Sequence, residues 1–428
     1  MHEESPLDTA GSVRSRWEAA ARLVAESRDV LDGRPGGDGE VPEALVSRGW
    51  SAFLLSVDDE ELASVETDGL DAGWPERTPD SLRELLARAR EVCSMPALVP
   101  AAAPASGLRR GETARKRAQI DAFQTLVETV AASVTRVVDV GSGHGHLTRA
   151  IAERAEHPVV GLERDAVLAE RARAMSAARP GQGIGRNRTA VAEGPGPSFV
   201  VTDVLRDGLT PLPGDCLVGL HACGELGDAM VTTVAQAPGT SLALVGCCLQ
   251  KRRQLSRPPL CPVPGTGEKL ELPRRLLGLS NLTSRDEGVE ASRADNLAAR
   301  ERRLALHRLL TQRWGPMRLG AEIDGLNRRV AQRDLSFLVA RAFAHRGGPP
   351  PSAAAIDEAA RWAREAHARA RRLTLPRALL ARVLEVYVLL DRATMLERRG
   401  LVVRVGTAFP VDVSARNLAL VAAPHRWH

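Results

Sequence analysis

The stretch that decides the fold reads Val137-Val138-Asp139-Val140-Gly141-Ser142-Gly143-His144-Gly145-His146-Leu147. A run of β-branched residues ends in an acid, glycine then occupies alternate positions, and helical spacing follows. This order predicts a strand, a tight turn and a helix, which together open a nucleotide-binding βαβ unit. Because glycine has no Cβ, the backbone of such a loop can turn sharply and approach a ligand closely.

The spacing of the glycines separates two classes of nucleotide-binding protein. The dinucleotide fingerprint G-x-G-x-x-G needs a glycine at its sixth position, and counting from Gly141 that position is His146. The G-x-G-x-G form, with Asp139 two residues before it, resembles motif I of class I S-adenosylmethionine (SAM) methyltransferases. A nicotinamide-dependent oxidoreductase is therefore the less favoured alternative. A glycine-rich turn that binds no ligand is a second, less favoured alternative.

Acids also follow the next two apolar runs. The run 159–162 ends in Glu163, and an acid at the end of the second strand can accept hydrogen bonds from ribose hydroxyls. The run 198–202 ends in Asp203, where an acid commonly receives the adenine amino group in SAM enzymes; a turn-forming aspartate is the alternative. The predicted cofactor-binding residues are Asp139, Gly141, Ser142, Gly143, Gly145, Glu163, Asp203 and Val204.

Five continuous apolar runs between 137 and 246, separated by helical spacing, predict a doubly wound parallel sheet. Ligands bind outside the carboxyl ends of such strands. The runs 401–405 and 417–422 suit a sixth and a seventh strand, the last antiparallel. We therefore expect an α/β fold, a Rossmann-like seven-stranded class I methyltransferase sheet. The start of an antiparallel last strand would bring Arg416 and Asn417 to the cofactor crevice, or Arg416 would form a surface ion pair.

The rest of the chain is predicted to be mostly helical. We expect an N-terminal helical region over 1–100, a SAM-binding core over 108–256, a mostly helical insertion over 257–400 and the final strand pair over 401–428. Within the insertion, helical spacing covers 291–314, 333–345, 354–373 and 376–399. An Ala/Pro/Gly segment at 101–107 predicts a linker.

Composition makes several classes of protein less favoured. The 428 residues carry a net charge of +5, too little to indicate nucleic-acid binding, and aromatic residues make up 3%, too few for a base-stacking surface. No run of about 18 apolar residues indicates a membrane span, and the N-terminus does not resemble a signal peptide. The six cysteines form no C-x-x-C pair, which fits a reducing cytoplasm.

Four stretches together resemble the methyltransferase-like protein 25 family: 137–146, 216–226, 245–248 and 414–421. The family reads V-G-L-H-x-C-G-[DE]-L, then V-G-C-C, and finally S-P-R-N-L. The resemblance implies a SAM-dependent methyltransferase fold and activity. This chain departs from the family in two places. Arg115-Lys116-Arg117-Ala118-Gln119 stands where the family has K-K-x-H-E, and Ala415 replaces the proline of the last motif.

His221 is the best candidate for a general base, because its ordinary pKa lies near neutrality and it follows the fourth strand. The alternative is a histidine that only packs beside the cofactor. A basic cluster at 109–117 either attracts an anionic acceptor or forms a solvated face. The candidate residues on the acceptor side are Arg115, Lys116, Cys223, Glu225, Cys247, Arg416 and Asn417.

The cysteines that follow the fourth and fifth strands allow further chemistry. Cys223 lacks the Pro-Cys context of cytosine-C5 methyltransferases, which disfavours a nucleophilic role. Cys223, Cys247 and Cys248 could converge with His221 on zinc, but adjacent cysteines rarely supply good geometry, so we expect no metal. The sequence leaves open whether the acceptor is protein, RNA or a small molecule, and also the oligomeric state. A SAM-binding regulator or RNA-binding module without turnover stays a competing hypothesis.

Overall fold

A computed structural model describes residues 12–36, 39–100, 113–131, 134–177, 196–262, 270–279, 293–326 and 333–425. The linker predicted at 101–107, and Arg109 and Arg110 of the basic cluster, lie outside these residues. The chain forms two compact units. The first comprises Met1–Arg28, Arg88–Thr283 and Leu380–His428, and the second comprises Asp29–Ala87 and Ser284–Leu379.

The helices and strands follow the chain in this order. The helices are α1 (Val13–Glu26), α2 (Arg28–Asp32), α3 (Glu43–Ser47), α4 (Ser51–Ser56), α5 (Asp59–Asp68), α6 (Asp80–Cys93), α7 (Ala114–Ala131), α8 (His146–Ala152), α9 (Ala166–Ala177), α10 (Val204–Asp207), α11 (Glu225–Gln236), α12 (Arg274–Leu277), α13 (Arg293–Trp314), α14 (Leu335–His345) and α15 (Ala353–Glu397). The strands are β1 (Arg136–Val140), β2 (Val159–Glu163), β3 (Ser198–Val201), β4 (Asp215–Leu220), β5 (Ser241–Val245), β6 (Ser256–Arg257), β7 (Leu272–Pro273), β8 (Val402–Thr407) and β9 (Leu418–Ala423). Among the described residues, no helix has the length and apolar character needed to cross a membrane.

The first unit contains a seven-stranded sheet in the order β3-β2-β1-β4-β5-β9-β8. Strands β1 to β5 pair in parallel, whereas β9 runs antiparallel to both β5 and β8. This confirms the predicted Rossmann-like sheet with an antiparallel last strand. A second, two-residue antiparallel pair joins β6 to β7.

The core of the first unit lies between the sheet and the helices α7 and α8. Phe123 on α7 packs against strand residues such as Val137, Val218 and Val421, all buried. The β8 edge of the sheet is covered, since Leu98 N donates to Thr407 O (2.9 Å) and Thr407 N donates to Pro96 O (2.8 Å). The segment before α7 therefore closes one edge of the sheet.

The second unit is helical and draws on two distant parts of the sequence. Helices α13, α14 and α15 share a core that includes Leu306, Leu338 and Ala363. Arg371 on α15 makes two hydrogen bonds (3.0 and 2.6 Å) to the carboxylate of Glu66 on α5. The predicted N-terminal region thus contributes to both units, and its residues 29–87 fold with the insertion.

Helix α15 is one 45-residue helix with Pro376 in its interior, so the two helices predicted at 354–373 and 376–399 are continuous. Proline cannot donate the backbone hydrogen bond that a helix interior normally makes, and it usually ends or bends the helix. Here Leu373, Leu375 and Leu379 are buried on either side of the proline. Burial of this apolar face offsets the lost hydrogen bond.

A buried ion network joins three segments of the first unit. The Asp228 carboxylate on α11 binds Arg392 of α15 (2.9 Å) and Arg257 of β6 (3.1 Å), and Arg252 lies 3.1 Å away. Arg257 also binds Asp391 (2.8 Å). Burial by itself would raise the pKa of Asp228, but the charges of Arg257 and Arg392 together outweigh it and hold that pKa well below its usual range.

We expect Asp228→Asn to lower the free energy of unfolding by about 3–5 kcal/mol, because it removes the carboxylate that neutralises buried Arg392 and leaves Arg257 with Asp391 alone. Urea unfolding followed by far-ultraviolet circular dichroism measures the change. The matched control is Glu128→Gln, which removes an ion pair with Arg154 whose side chains are 49% and 56% exposed. That pair should contribute less than about 1 kcal/mol. Equal effects of the two substitutions would contradict a stabilising network.

Candidate cofactor and acceptor site

The glycine loop between β1 and α8 adopts a conformation that requires glycine. Gly141, Gly143 and Gly145 have φ values of 79°, 56° and 69°. A Cβ on Gly145 would lie 2.6 Å from ring carbons of Phe199, whereas a Cβ on Gly143 would meet no atom within 4 Å. The loop is therefore packed against the protein at Gly145 and faces open space at Gly143.

Glu163 lies directly against this loop. Gly143 N donates to Glu163 Oε2 (2.8 Å), and Asp165 N donates to Oε1 (3.0 Å). The structure thus brings together the first two features that the sequence singled out, although they belong to different strands. Beside them, the Ser142 hydroxyl is buried and has no hydrogen-bond partner among the described residues. A polar ligand held by the loop would satisfy that hydroxyl, so these residues fit a nucleoside cofactor.

Asp139 lies beneath the loop and is only 2% exposed. Thr148 on α8 donates a hydrogen bond to its Oδ2 (2.6 Å). Burial raises the pKa of Asp139 to about 6, while the Thr148 hydrogen bond opposes the rise. The carboxyl group links the end of β1 to α8. At neutral pH it carries a buried negative charge, which is unfavourable for the stability of the fold.

The raised pKa of Asp139 predicts a pH-dependent stability. Between the ordinary value of 3.8 and the folded value of about 6, the folded state binds the proton more tightly, so stability falls as pH rises through this window. Asp139→Asn should remove this slope and stabilise the protein above pH 6 by about 1–3 kcal/mol. Urea unfolding of both proteins from about pH 4.5 to 7.5 tests this. If stability still falls with pH in the variant, another titratable group causes the pH dependence.

Asp203 and Val204 lie at the start of α10. Asp203 caps this helix, since its Oδ1 accepts from Leu205 N (3.1 Å), and its Oδ2 lies 3.4 Å from Arg253 Nη2. Val204 is buried. The capping contact matches the turn-forming alternative for Asp203, and the adenine contact stays a prediction.

The loop after β4 is conformationally strained and tightly packed. His221 has φ 71° and is the one non-glycine residue among those described with a positive φ, a conformation that is uncommon outside glycine. Its backbone N donates to Val245 O (2.8 Å) at the end of β5. A Cβ on Gly224 would lie 2.0 Å from Lys251 O, so only glycine fits there. The two loops after β4 and β5 therefore hold each other in place.

The His221 side chain contacts a residue that sequence reasoning missed. His221 Nε2 lies 3.2 Å from Oε1 of buried Gln119 on α7. With the amide oxygen as acceptor, Nε2 carries the proton and Nδ1 is left as a proton acceptor. Although the residue as a whole is exposed, desolvation of the imidazole ring lowers the pKa of His221 to about 4, helped by the charges of Arg115 and Lys116, so the ring is neutral at physiological pH. The available signal was the departure from K-K-x-H-E, where Gln119 replaces the glutamate.

Three thiols meet beside this histidine. Cys223 Sγ lies 2.7 Å from Cys247 Sγ, and Cys247 Sγ lies 3.6 Å from Cys248 Sγ. Arg416 Nη1 is 3.6 Å from Cys248 Sγ. A hydrogen bond from the Cys247 thiol lowers the pKa of Cys223 to about 6, against the effect of burial. Cys223, Cys247 and Arg416, which are distant in sequence, are brought together here with Cys248, which was not among the acceptor-side candidates.

Four further candidates make contacts that brace the site. Glu225 accepts from Arg253 N (2.7 Å). Asn417 is buried, donates to Phe409 O (2.9 Å) and accepts from Arg382 (2.8 Å). Arg115 and Lys116 lie on the first turn of α7, where their charges reach His221. An acceptor-side role for these four residues stays a prediction.

Comparison with known proteins shows what residues 115–254 are similar to. Residues 115–254 match the model of a family described as a methyltransferase domain. A TehB-like SAM-dependent methyltransferase from Corynebacterium glutamicum is 16% identical over 29% of this chain and 62% of its own, with a TM-score of 0.21. Magnesium protoporphyrin IX methyltransferase from Synechocystis with bound SAM is 14% identical over 33% and 66%, with a TM-score of 0.22.

A third solved structure has a longer alignment. The 23S rRNA methyltransferase ErmE is 20% identical over 58% of this chain and 96% of its own, with a TM-score of 0.23. The chain covers less than two thirds of the first two structures. The family match, rather than these distant likenesses, identifies residues 115–254 as a methyltransferase domain, and this domain lies within a Rossmann-like seven-stranded sheet.

Proposed function

We propose that the protein transfers the methyl group of SAM to an acceptor bound at the carboxyl ends of β4 and β5. The observation that carries this proposal is the contact between Glu163 and Gly143, which unites an acid for the ribose with an open glycine loop (2.8 Å). When bound, SAM supplies an electrophilic methyl group on a sulfonium. Gly141, Ser142, Gly143 and Glu163 would hold it, and Asp203 is the candidate for its adenine.

The acceptor side adjoins this loop. A Cβ on Gly141 would lie 3.5 Å from Leu226, so the start of α11 lies near the glycine loop. Methyl transfer depends mainly on positioning the nucleophile, and the strained backbone at His221 fixes that residue beside the crevice. Its Nδ1 is the candidate proton acceptor for an acceptor that carries a proton. Arg115, Lys116 and Arg416 add positive charge, which favours an anionic or macromolecular acceptor such as protein or RNA.

Membership of the methyltransferase-like protein 25 family is the finer proposal. It is supported by the joint position of the family's motifs: the His221–Leu226 loop, the Cys247-Cys248 pair and Arg416 all lie at one end of the sheet. The Asp391-Arg392 segment, which also resembles the family, is part of the buried network with Asp228.

A cytoplasmic location is supported by six cysteines that form no disulfide.

Substitution of Gly143 tests SAM binding. Gly143→Ala adds a Cβ that meets no protein atom within 4 Å, so it should weaken SAM binding by about tenfold or more by occupying the space of the ligand. Isothermal titration calorimetry measures the affinity. The matched control is Gly400→Ala, whose φ of 83° imposes the same backbone strain with no Cβ contact. Unchanged SAM affinity in Gly143→Ala would place the cofactor elsewhere.

The acceptor is tested with tritiated SAM and extract from a strain that lacks the gene. We expect transfer of label to a macromolecule, with nuclease or protease sensitivity identifying RNA or protein. His221→Asn should reduce the rate by about 10²–10⁴-fold, the usual contribution of a general base, while leaving SAM binding in place. Label that survives both digestions would indicate a small-molecule acceptor. Binding of SAM with no labelled product in any fraction would instead favour a SAM-binding regulator.

A further inference from the structure

We propose that Cys223, Cys247 and Cys248 form a zinc-binding site at the carboxyl ends of β4 and β5. The three Sγ atoms lie within 4.8 Å of one another, and all three side chains are half-buried. They come from two loops that the sheet brings together, one after β4 and one after β5. This proposal is independent of the methyltransferase activity, since a metal site can form whether or not a methyl group is transferred.

The backbone explains how adjacent cysteines can share one ion. Successive side chains in a strand point to opposite faces, so two neighbouring cysteines within β5 would diverge. Strand β5 ends at Val245, two residues before Cys247. Cys247 and Cys248 therefore lie outside the strand, and their Sγ atoms approach to 3.6 Å. The sequence argument against a metal therefore does not apply to this loop.

The distances between the sulfur atoms suit zinc after a small adjustment. Zn–S bonds of about 2.3 Å in tetrahedral geometry place two sulfur ligands about 3.8 Å apart. The distance of 3.6 Å between Cys247 and Cys248 already agrees with this value. The distance of 2.7 Å between Cys223 and Cys247 must increase by about 1 Å for both thiolates to bind the same ion.

Charge and ligand chemistry favour zinc over a harder ion. Thiolates are soft ligands that select zinc rather than magnesium or calcium. Three thiolates and Zn²⁺ carry a net negative charge, and Arg416 Nη1 lies 3.6 Å from Cys248 Sγ, where it can donate to the bound sulfur. His221 is directed at Gln119 (3.2 Å) and is not needed as a ligand. Three protein ligands leave one tetrahedral position for water or a small ligand, as in reactive zinc sites.

The test uses the full chain purified under reducing conditions without chelator. We expect inductively coupled plasma mass spectrometry to find about one zinc per chain, and Co²⁺ substitution to give thiolate-to-cobalt charge-transfer absorption. Cys223→Ser, Cys247→Ser and Cys248→Ser should each remove most of the metal. Cys93→Ser is the matched control, because Cys93 is also half-buried but lies on α6.

SAM affinity in the same variants separates this proposal from the proposed function. A Cys223→Ser protein that binds SAM but not zinc shows an intact fold and a lost metal site. The proposal would be overturned if the protein contained no zinc after incubation with Zn²⁺. It would also be overturned if all three serine variants retained as much zinc as the unmodified protein. The proposal would also be overturned if mass spectrometry found a Cys223–Cys247 disulfide in protein that had been purified under reducing conditions and then treated with zinc.

Discussion

The proposed acceptor side depends on the buried ion pairs that the Asp228 carboxylate makes with two arginines. This carboxylate binds Arg392 and Arg257 within the protein interior, and Arg392 also donates to the carbonyl of Gly224 (3.0 Å). Gly224 belongs to the same loop as His221 and Cys223, so this charge network helps to fix the position of that loop. Such a network is stable only when every member is paired, because each ion has lost its hydration.

The cofactor side depends on a different constraint, the close approach of backbone to side chain. Gly145 leaves room for Phe199, and Gly143 donates to Glu163. The proposed cofactor and acceptor sides approach each other where Leu226 of α11 lies near Gly141. A rigid cofactor loop and a braced acceptor loop in contact are what methyl transfer needs, because the reaction is governed by the alignment of nucleophile, methyl carbon and leaving sulfur.

Two rules that hold for local sequence do not hold at particular residues of this protein. Pro376 lies inside a continuous helix, since burial of Leu373, Leu375 and Leu379 outweighs one lost hydrogen bond. Cys247 and Cys248 converge because β5 ends just before them. In both cases a local rule, that proline ends helices or that adjacent side chains diverge, is overridden by packing or by the exact end of an element.

The sequence by itself determined the strands of the sheet and the glycine loop, because hydrophobic periodicity and the need for positive φ are local properties. The antiparallel direction of the last strand was predicted from the likeness to the methyltransferase sheet. It also identified Glu163, His221, Cys223 and Cys247 as the residues to examine. Only the tertiary structure decided that Gln119 faces His221, that Arg392 holds Gly224 and that residues 29–87 fold with the insertion. These contacts join residues more than a hundred positions apart in the chain, and their partners are selected by packing, which no local pattern encodes.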